Sequence, residues 1–419
     1  MTAGPPIYPL EVNPIAVPVR HPNRPVLPFA TPTSKATFID TTVSVRNGPS
    51  VLIGLQSYIA PYVTLDAGRQ SVIKIGYGST VQDSASLIAA PHGSPAGAKL
   101  LVGNNVVIGA GAKILGSSTI GSYATTAAPT SIGSNAVIDS ATIDPGAIVS
   151  GLARVGPGVT VPSGYRVLPG ASVTTEAQAT NPALGKVVKV TASDLSAVQA
   201  TLTYSVGLAA GYTHLYQGNS ATGVNVGGNP AIGGIYQGDL SMVEGVSGSP
   251  GPSYVGGSKA LSPSFPAPTG GLIGANLFNF PGRLIGQAIF TSERPGQLEV
   301  HLGRANSIRA DVGQPIVIGS IAHTGQHVVI SSPTGGSLLI GQQFRAGTSA
   351  VIQGSSGVHA AIGNDVAIGA HAVLVGSSLG TGSTVGANAY LKNSSFDAGT
   401  HIPPGAIYVN NVFQGFVQG

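Results

Sequence analysis

Val149, Val155, Val161, Val167 and Val173 recur every six residues. A helix repeats its apolar face roughly every 3.6 residues and a half-buried strand roughly every 2, so a sustained period of six predicts a solenoid of short strands and turns. The residue after a ladder position is small, polar or proline, as in Val155-Gly156 and Val161-Pro162. One branched aliphatic side chain per hexad then points inward and its follower permits the corner. That is the hexapeptide pattern of a left-handed parallel β-helix.

The ladder begins irregularly after Phe38 and is clear at Ile75, Val81 and Leu87. A loop containing Pro91, His92, Gly93 and Pro95 interrupts it. It resumes at Val102, Ile108, Ile114, Ile120, Ile132 and Ile138, then shifts phase by one residue at Ile143. With three hexads per coil, residues 38–175 hold about seven coils of eighteen residues. A second ladder includes Ile318, Ile330, Ile340, Ile352, Ile362, Ile368, Leu374, Val385, Leu391 and Ile402. The stretch from Leu100 to Gly116 aligns without gaps on Leu338 to Gly354, which duplication of one solenoid explains most simply. The expected fold is therefore mainly β: two tandem left-handed parallel β-helix domains, one connecting α-helix and a long irregular segment.

The remaining segments follow from this division. Residues 1–34 carry nine prolines and read as an arm of extended polyproline geometry, either a disordered tail or an arm that lies along a neighbouring solenoid. Residues 35–176 form the first β-helix domain, 177–217 a connector, 218–283 a Gly/Ser/Pro-rich extended segment and 284–419 the second β-helix domain. In the connector, Thr191-Ala192-Ser193-Asp194 fits a capping box, and Leu195, Val198, Leu202, Val206, Ala209 and Tyr216 recur at helical spacing. That predicts a helix over about 192–217. Its apolar face should lie against the flank of a solenoid or of a partner subunit.

Composition narrows the class further. Only 8% of the 419 residues are charged, against roughly a quarter in typical globular chains. The 61 Gly and 31 Pro follow no three-residue period, which excludes collagen, and the regular aliphatics argue against disorder. The net charge of +4 is spread over single residues, so no nucleic-acid surface is expected. The absence of Cys excludes disulfides and thiolate metal sites. No membrane span and no signal-peptide core is legible. Cytoplasm is the default compartment, with an exported or surface assembly left open.

The stretch Ser307-Ile308-Arg309-Ala310-Asp311-Val312-Gly313-Gln314-Pro315-Ile316-Val317-Ile318-Gly319 resembles the signature of γ-class carbonic anhydrases and their relatives. The likeness spans about residues 284–409, and residues 38–175 look like a more divergent copy. The resemblance implies trimers in which the motif's Arg and Asp pair across subunit faces, making Arg309 and Asp311 interface residues. It also implies a zinc held by three histidines. The aligned positions are Ser331, Thr348 and Gln353 in the second half, and Ile88, Ala110 and Leu115 in the first. None of these is an ordinary zinc ligand. Gln82-Asp83 matches a Gln-Asp pair of that family, which tunes a metal only where ligands hold one.

Other histidines offer weaker metal candidates. His323 and His327 are four residues apart, and His359 and His371 are twelve apart, a spacing two hexads could align along one face. His92 could act as the single general base of a hexapeptide acyltransferase. Three functions therefore compete. One is a catalytically silent γ-carbonic-anhydrase-like assembly component, an oligomer at the trimer level or above with no cofactor. The second is a zinc-dependent carbonic anhydrase with relocated ligands, and the third is a coenzyme A-dependent acyltransferase.

Overall fold

Successive hexads step around three faces of a prism. In the computed structural model, Val149 lies on one face, Val155 on the next and Val161 on the third; Val167 returns to the first, in register with Val149, and Val173 stacks on Val155. The structure describes residues 15–18, 37–91, 97–217, 240–241, 253–256, 283–292 and 300–418, less short gaps at 41, 48–49, 287, 311–315, 320–321, 333–335 and 356–358. The chain divides into two compact units, residues 26–264 with the last two residues, and residues 1–25 with 265–417. Each unit contains one left-handed parallel β-helix.

The first helix takes its three faces in chain order from Thr37–Asp40, Ser44–Arg46 and Val51–Ile53. Its second face is a seven-stranded sheet, parallel throughout, so the seven expected coils are present. On the first face Ile59, Val81, Ile108, Ile132, Val149 and Val167 stand in one register column, and all are fully buried. Parallel strands lie about 4.8 Å apart, so each aliphatic side chain packs on its counterpart one coil away and the core grows along one axis.

Coil length departs from the uniform eighteen residues. In the second helix Ile308, Ile330, Ile352 and Leu374 stack at steps of 22 residues, and Leu391 follows after 17. In the first helix the coil containing the Pro91 loop is longest: Ile73 pairs with Leu100, a step of 27. Extra residues leave at the corners, where they disturb no register. The ladder's apolar positions thus survive insertions that a count of hexads does not register.

The glycine after each aliphatic is explained by close approach rather than by an unusual dihedral. A Cβ added at Gly319 would meet the backbone nitrogen of Gln342, on the next coil, at 2.6 Å. Most positive-φ positions lie two residues further on in the same turns and many are not glycine; Gly121, after Ile120, is an exception with φ 72°. Ala305, His327, Ser349, His371 and Asn388, with φ between 55 and 58°, occupy one such corner on five successive coils.

The second helix takes its faces in chain order from Arg283–Gly286, Ala288–Ser292 and Val300–His301. From the proline-rich region, Ile15–Pro18 pairs antiparallel with Ala288–Ser292. In the first unit, two strands from the central segment, Leu240–Ser241 and Ser253–Gly256, pair in parallel with Val51–Ile53 and Thr37–Asp40 at the start of the first helix. At its far end, the second helix closes with an antiparallel hairpin of Ala406–Val409 and Val412–Phe416.

Among the described residues two α-helices replace the single expected one. The short α1, Glu176–Thr180, is capped by Thr175, whose hydroxyl accepts from the Gln178 amide at 3.3 Å. It lacked a legible apolar period because it is little more than one turn. The longer α2, Ala192–Gln217, opens on the capping box: the Asp194 amide donates to the Thr191 hydroxyl at 3.1 Å, and the Asp194 carboxylate accepts from the Thr191 amide at 2.9 Å. Val198 and Leu202 pack against Val107 and Ile148, which point outward from the first face of the first β-helix. No described helix is long and apolar enough to cross a membrane.

Candidate functional site

Two of the three positions aligned with zinc ligands in the second helix are neighbours. Ser331 and Gln353 occupy the same register on adjacent strands of the second helix, Val329–Ser331 and Val351–Gln353. Gln353 donates from Nε2 to the Ser331 hydroxyl at 3.4 Å. Thr348 is exposed in the turn before the second of these strands. In the first helix Ile88 and Leu115 are likewise register partners, on Ser86–Ile88 and Lys113–Leu115, while Ala110 is buried in the turn before. The two helices thus place corresponding residues in the same local geometry.

That geometry does not fit zinc. A hydroxyl, a second hydroxyl and a carboxamide offer neutral oxygen donors where zinc prefers imidazole, thiolate or carboxylate. In the first helix the three side chains are hydrocarbon. Asp83 is fully buried, within a β-helix whose aligned positions supply no metal ligand.

Arg309 lies on the same register column as Ser331, one coil earlier, and is only 2% exposed. It has interaction partners within its own chain. Asp311, its companion in the signature, lies outside the described residues, as does His92.

The histidine candidates do not come together as their spacing suggested. His359 stands at the edge of the second face of the second helix, beside Ser337, whose hydroxyl is 2.6 Å from Nδ1. His371 sits at the corner between the third and first faces, where its amide donates to the Thr348 carbonyl at 2.8 Å. Twelve residues is only part of a coil, so the pair falls on different sides of the prism. His323 lies on the third face and the exposed His327 on the following corner. Among the described residues no cluster of three or more His, Cys, Asp or Glu side chains is able to hold a metal.

His301 is the residue that sequence reading passed over. It is the register partner of His323, and the two imidazoles stack with centroids 4.8 Å apart and planes 19° from parallel. Arg345 continues the column one coil further. The signal was present in the spacing: residues 301, 323 and 345 repeat at the true coil length of 22, not at eighteen.

The fold and its repeats define a hexapeptide-repeat β-helix protein. Residues 360–393 match a hexapeptide repeat of succinyl-transferase. No curated protein matches the chain. Similar solved structures include a hexapeptide transferase family protein from Anaplasma phagocytophilum, at 16% identity and a TM-score of 0.31 over 43% of this chain and 98% of that one. Another is a candidate acetyltransferase from Bacillus cereus, at 20% identity and a TM-score of 0.26 over 45% of this chain and 96% of that one. At these scores, neither neighbour's chemistry transfers to this chain.

Proposed function

We propose that the protein is a catalytically silent, γ-carbonic-anhydrase-like scaffold, a duplicated solenoid that serves as an oligomeric assembly component at the trimer level or above. The observation that carries this reading is the Gln353–Ser331 hydrogen bond. Two aligned ligand positions meet in register, yet they are filled by side chains that satisfy each other. The hydrocarbon pair Ile88 and Leu115 at the corresponding place in the first helix supports the same reading. A metal-activated water needs an open, strongly donating ligand set, and neither copy supplies one.

The test combines three measurements on the full chain: zinc per chain after purification without chelator, CO2 hydration, and particle mass by light scattering with and without Arg309→Ala. The scaffold reading expects no stoichiometric zinc, no hydration above buffer and a lower mass for the variant. Zinc near one per chain together with hydration would overturn it. An unchanged mass would remove Arg309 from the interface.

A second reading, hexapeptide acyltransferase, is favoured by the match of residues 360–393 to a succinyl-transferase repeat. That repeat is a structural unit, common to catalytic and structural solenoids. This reading requires acyl transfer from a coenzyme A thioester that His92→Ala abolishes.

A further inference from the structure

We propose that the third face of the second helix, with its trailing corner, is a binding surface for an extended multivalent oxyanion, engaged more tightly as pH falls. The column His301, His323, Arg345 lies in register on three successive strands. Neighbouring strands place its members about 4.8 Å apart. Ala367, Thr384 and His401 continue it, with Nδ1 of His401 beside the Thr384 hydroxyl. The corner that follows carries Arg304, His327 and His371.

Five of the chain's nine histidines and two arginines therefore share one strip, although they are scattered between positions 301 and 401. No Asp or Glu occurs in the segments that build it, 300–305, 322–328, 344–350, 366–372, 384–389 and 401–405. The described carboxylates Asp365 and Asp397 stand at the opposite corner, where the second face turns into the third, and Glu299, two residues before His301, lies outside the described residues. Thr324 and Thr384 are the other hydrogen-bonding side chains on these strands.

Charge decides between the two ligand classes that histidines serve. A divalent cation at the His301–His323 stack would meet the Arg345 guanidinium on the next strand with no carboxylate among the described residues to offset it. An oxyanion gains from that guanidinium and from each imidazole that takes up a proton, through charge-assisted hydrogen bonds. A flat column of regularly spaced donors suits a chain of linked oxyanion groups better than a single one. Histidine is the side-chain class able to change charge near neutral pH, so the pH of the measurement is the variable that tests the imidazoles.

Calorimetric titration of the full chain in metal-free buffer tests this, with inorganic tripolyphosphate and inorganic phosphate as probes at pH 5.5 and 7.5. Tripolyphosphate should bind about tenfold more tightly or better at the lower pH, through added charge-assisted hydrogen bonds from the imidazoles. It should also outbind phosphate. H301Q/H323Q should flatten the pH dependence, and Arg345→Gln should weaken binding at both pH values. Circular dichroism of these variants checks that they fold. Absent binding at pH 5.5, equal affinity at both pH values, equal affinity for phosphate, or variants that bind as the parent does would each overturn the proposal. Zn2+ binding that depends on His301 and His323 would reassign the pair to a metal.

Discussion

Gln353 reaches back one coil to Ser331, its Nε2 donating to the hydroxyl at 3.4 Å. Register brings the two together. The double variant S331H/Q353H places two imidazoles on adjacent strands about 4.8 Å apart. It should acquire Co2+ binding, read from visible absorption, that the parent protein lacks. Failure of the variant to bind would mean that the site's geometry, and not only its side chains, is unsuited to a metal.

Asp194 is held at the first turn of α2 by two partners. Burial pushes its carboxyl up, but the hydrogen bonds from Thr191 and the Arg166 guanidinium, 2.6 Å away, outweigh burial and hold it below the usual carboxylate range. A depressed folded-state pKa stabilises at pH values above the unfolded value, near about 4, and that contribution is lost as pH falls through the folded value. Asp194→Ala should therefore cost about 1–2 kcal/mol at neutral pH, from the lost cap and the partly exposed ion pair. Thermal melts of parent and variant should converge as pH drops below 4. A gap that persists in acid would place the effect elsewhere.

Gly319 tests the close-approach account of the Ile-Gly hexad. Its added methyl would strike the Gln342 backbone at 2.6 Å, and backbone cannot yield as a flexible side chain can. Gly319→Ala should destabilise the second helix by about 1–3 kcal/mol, the range for overpacking a close-packed site. Gly382→Ala meets no atom within 4 Å but imposes a side chain on a φ of 73°, so its cost is backbone strain of about 1 kcal/mol. A smaller loss for Gly319→Ala than for Gly382→Ala, by chemical denaturation, would refute this ordering.

Leu202 is 2% exposed and sits at the junction of α2 with Val107 and Ile148. Leu202→Ala should cost about 2–5 kcal/mol of packing, concentrated in the helix, because the β-helix core does not depend on it. Hydrogen exchange should quicken over residues 192–209 while the column through Ile108 and Val149 stays protected. Uniform loss of protection would show that helix and solenoid unfold as one unit.

The ladder of aliphatics was legible because a β-helix writes its core into local sequence: each inward position meets the same position of the next coil, whatever lies at the corners. The capping box at Thr191 and the helix that follows were legible for the same reason, since both are set by residues within a few positions of one another. The His301–His323–Arg345 column was not, although its members are spaced regularly, because the assumed coil of eighteen residues put them on different faces.

The sequence by itself determined the fold class, the inward residues and α2, all fixed by short-range pattern and by the burial of branched aliphatics. Only the tertiary structure decided which outward residues are neighbours. Outward neighbours belong to different coils, and the step between coils, from 17 to 27 residues here, depends on how much chain each corner releases. A side chain inside the prism is placed by its own hexad, whereas a surface column exists only once the coils have been stacked.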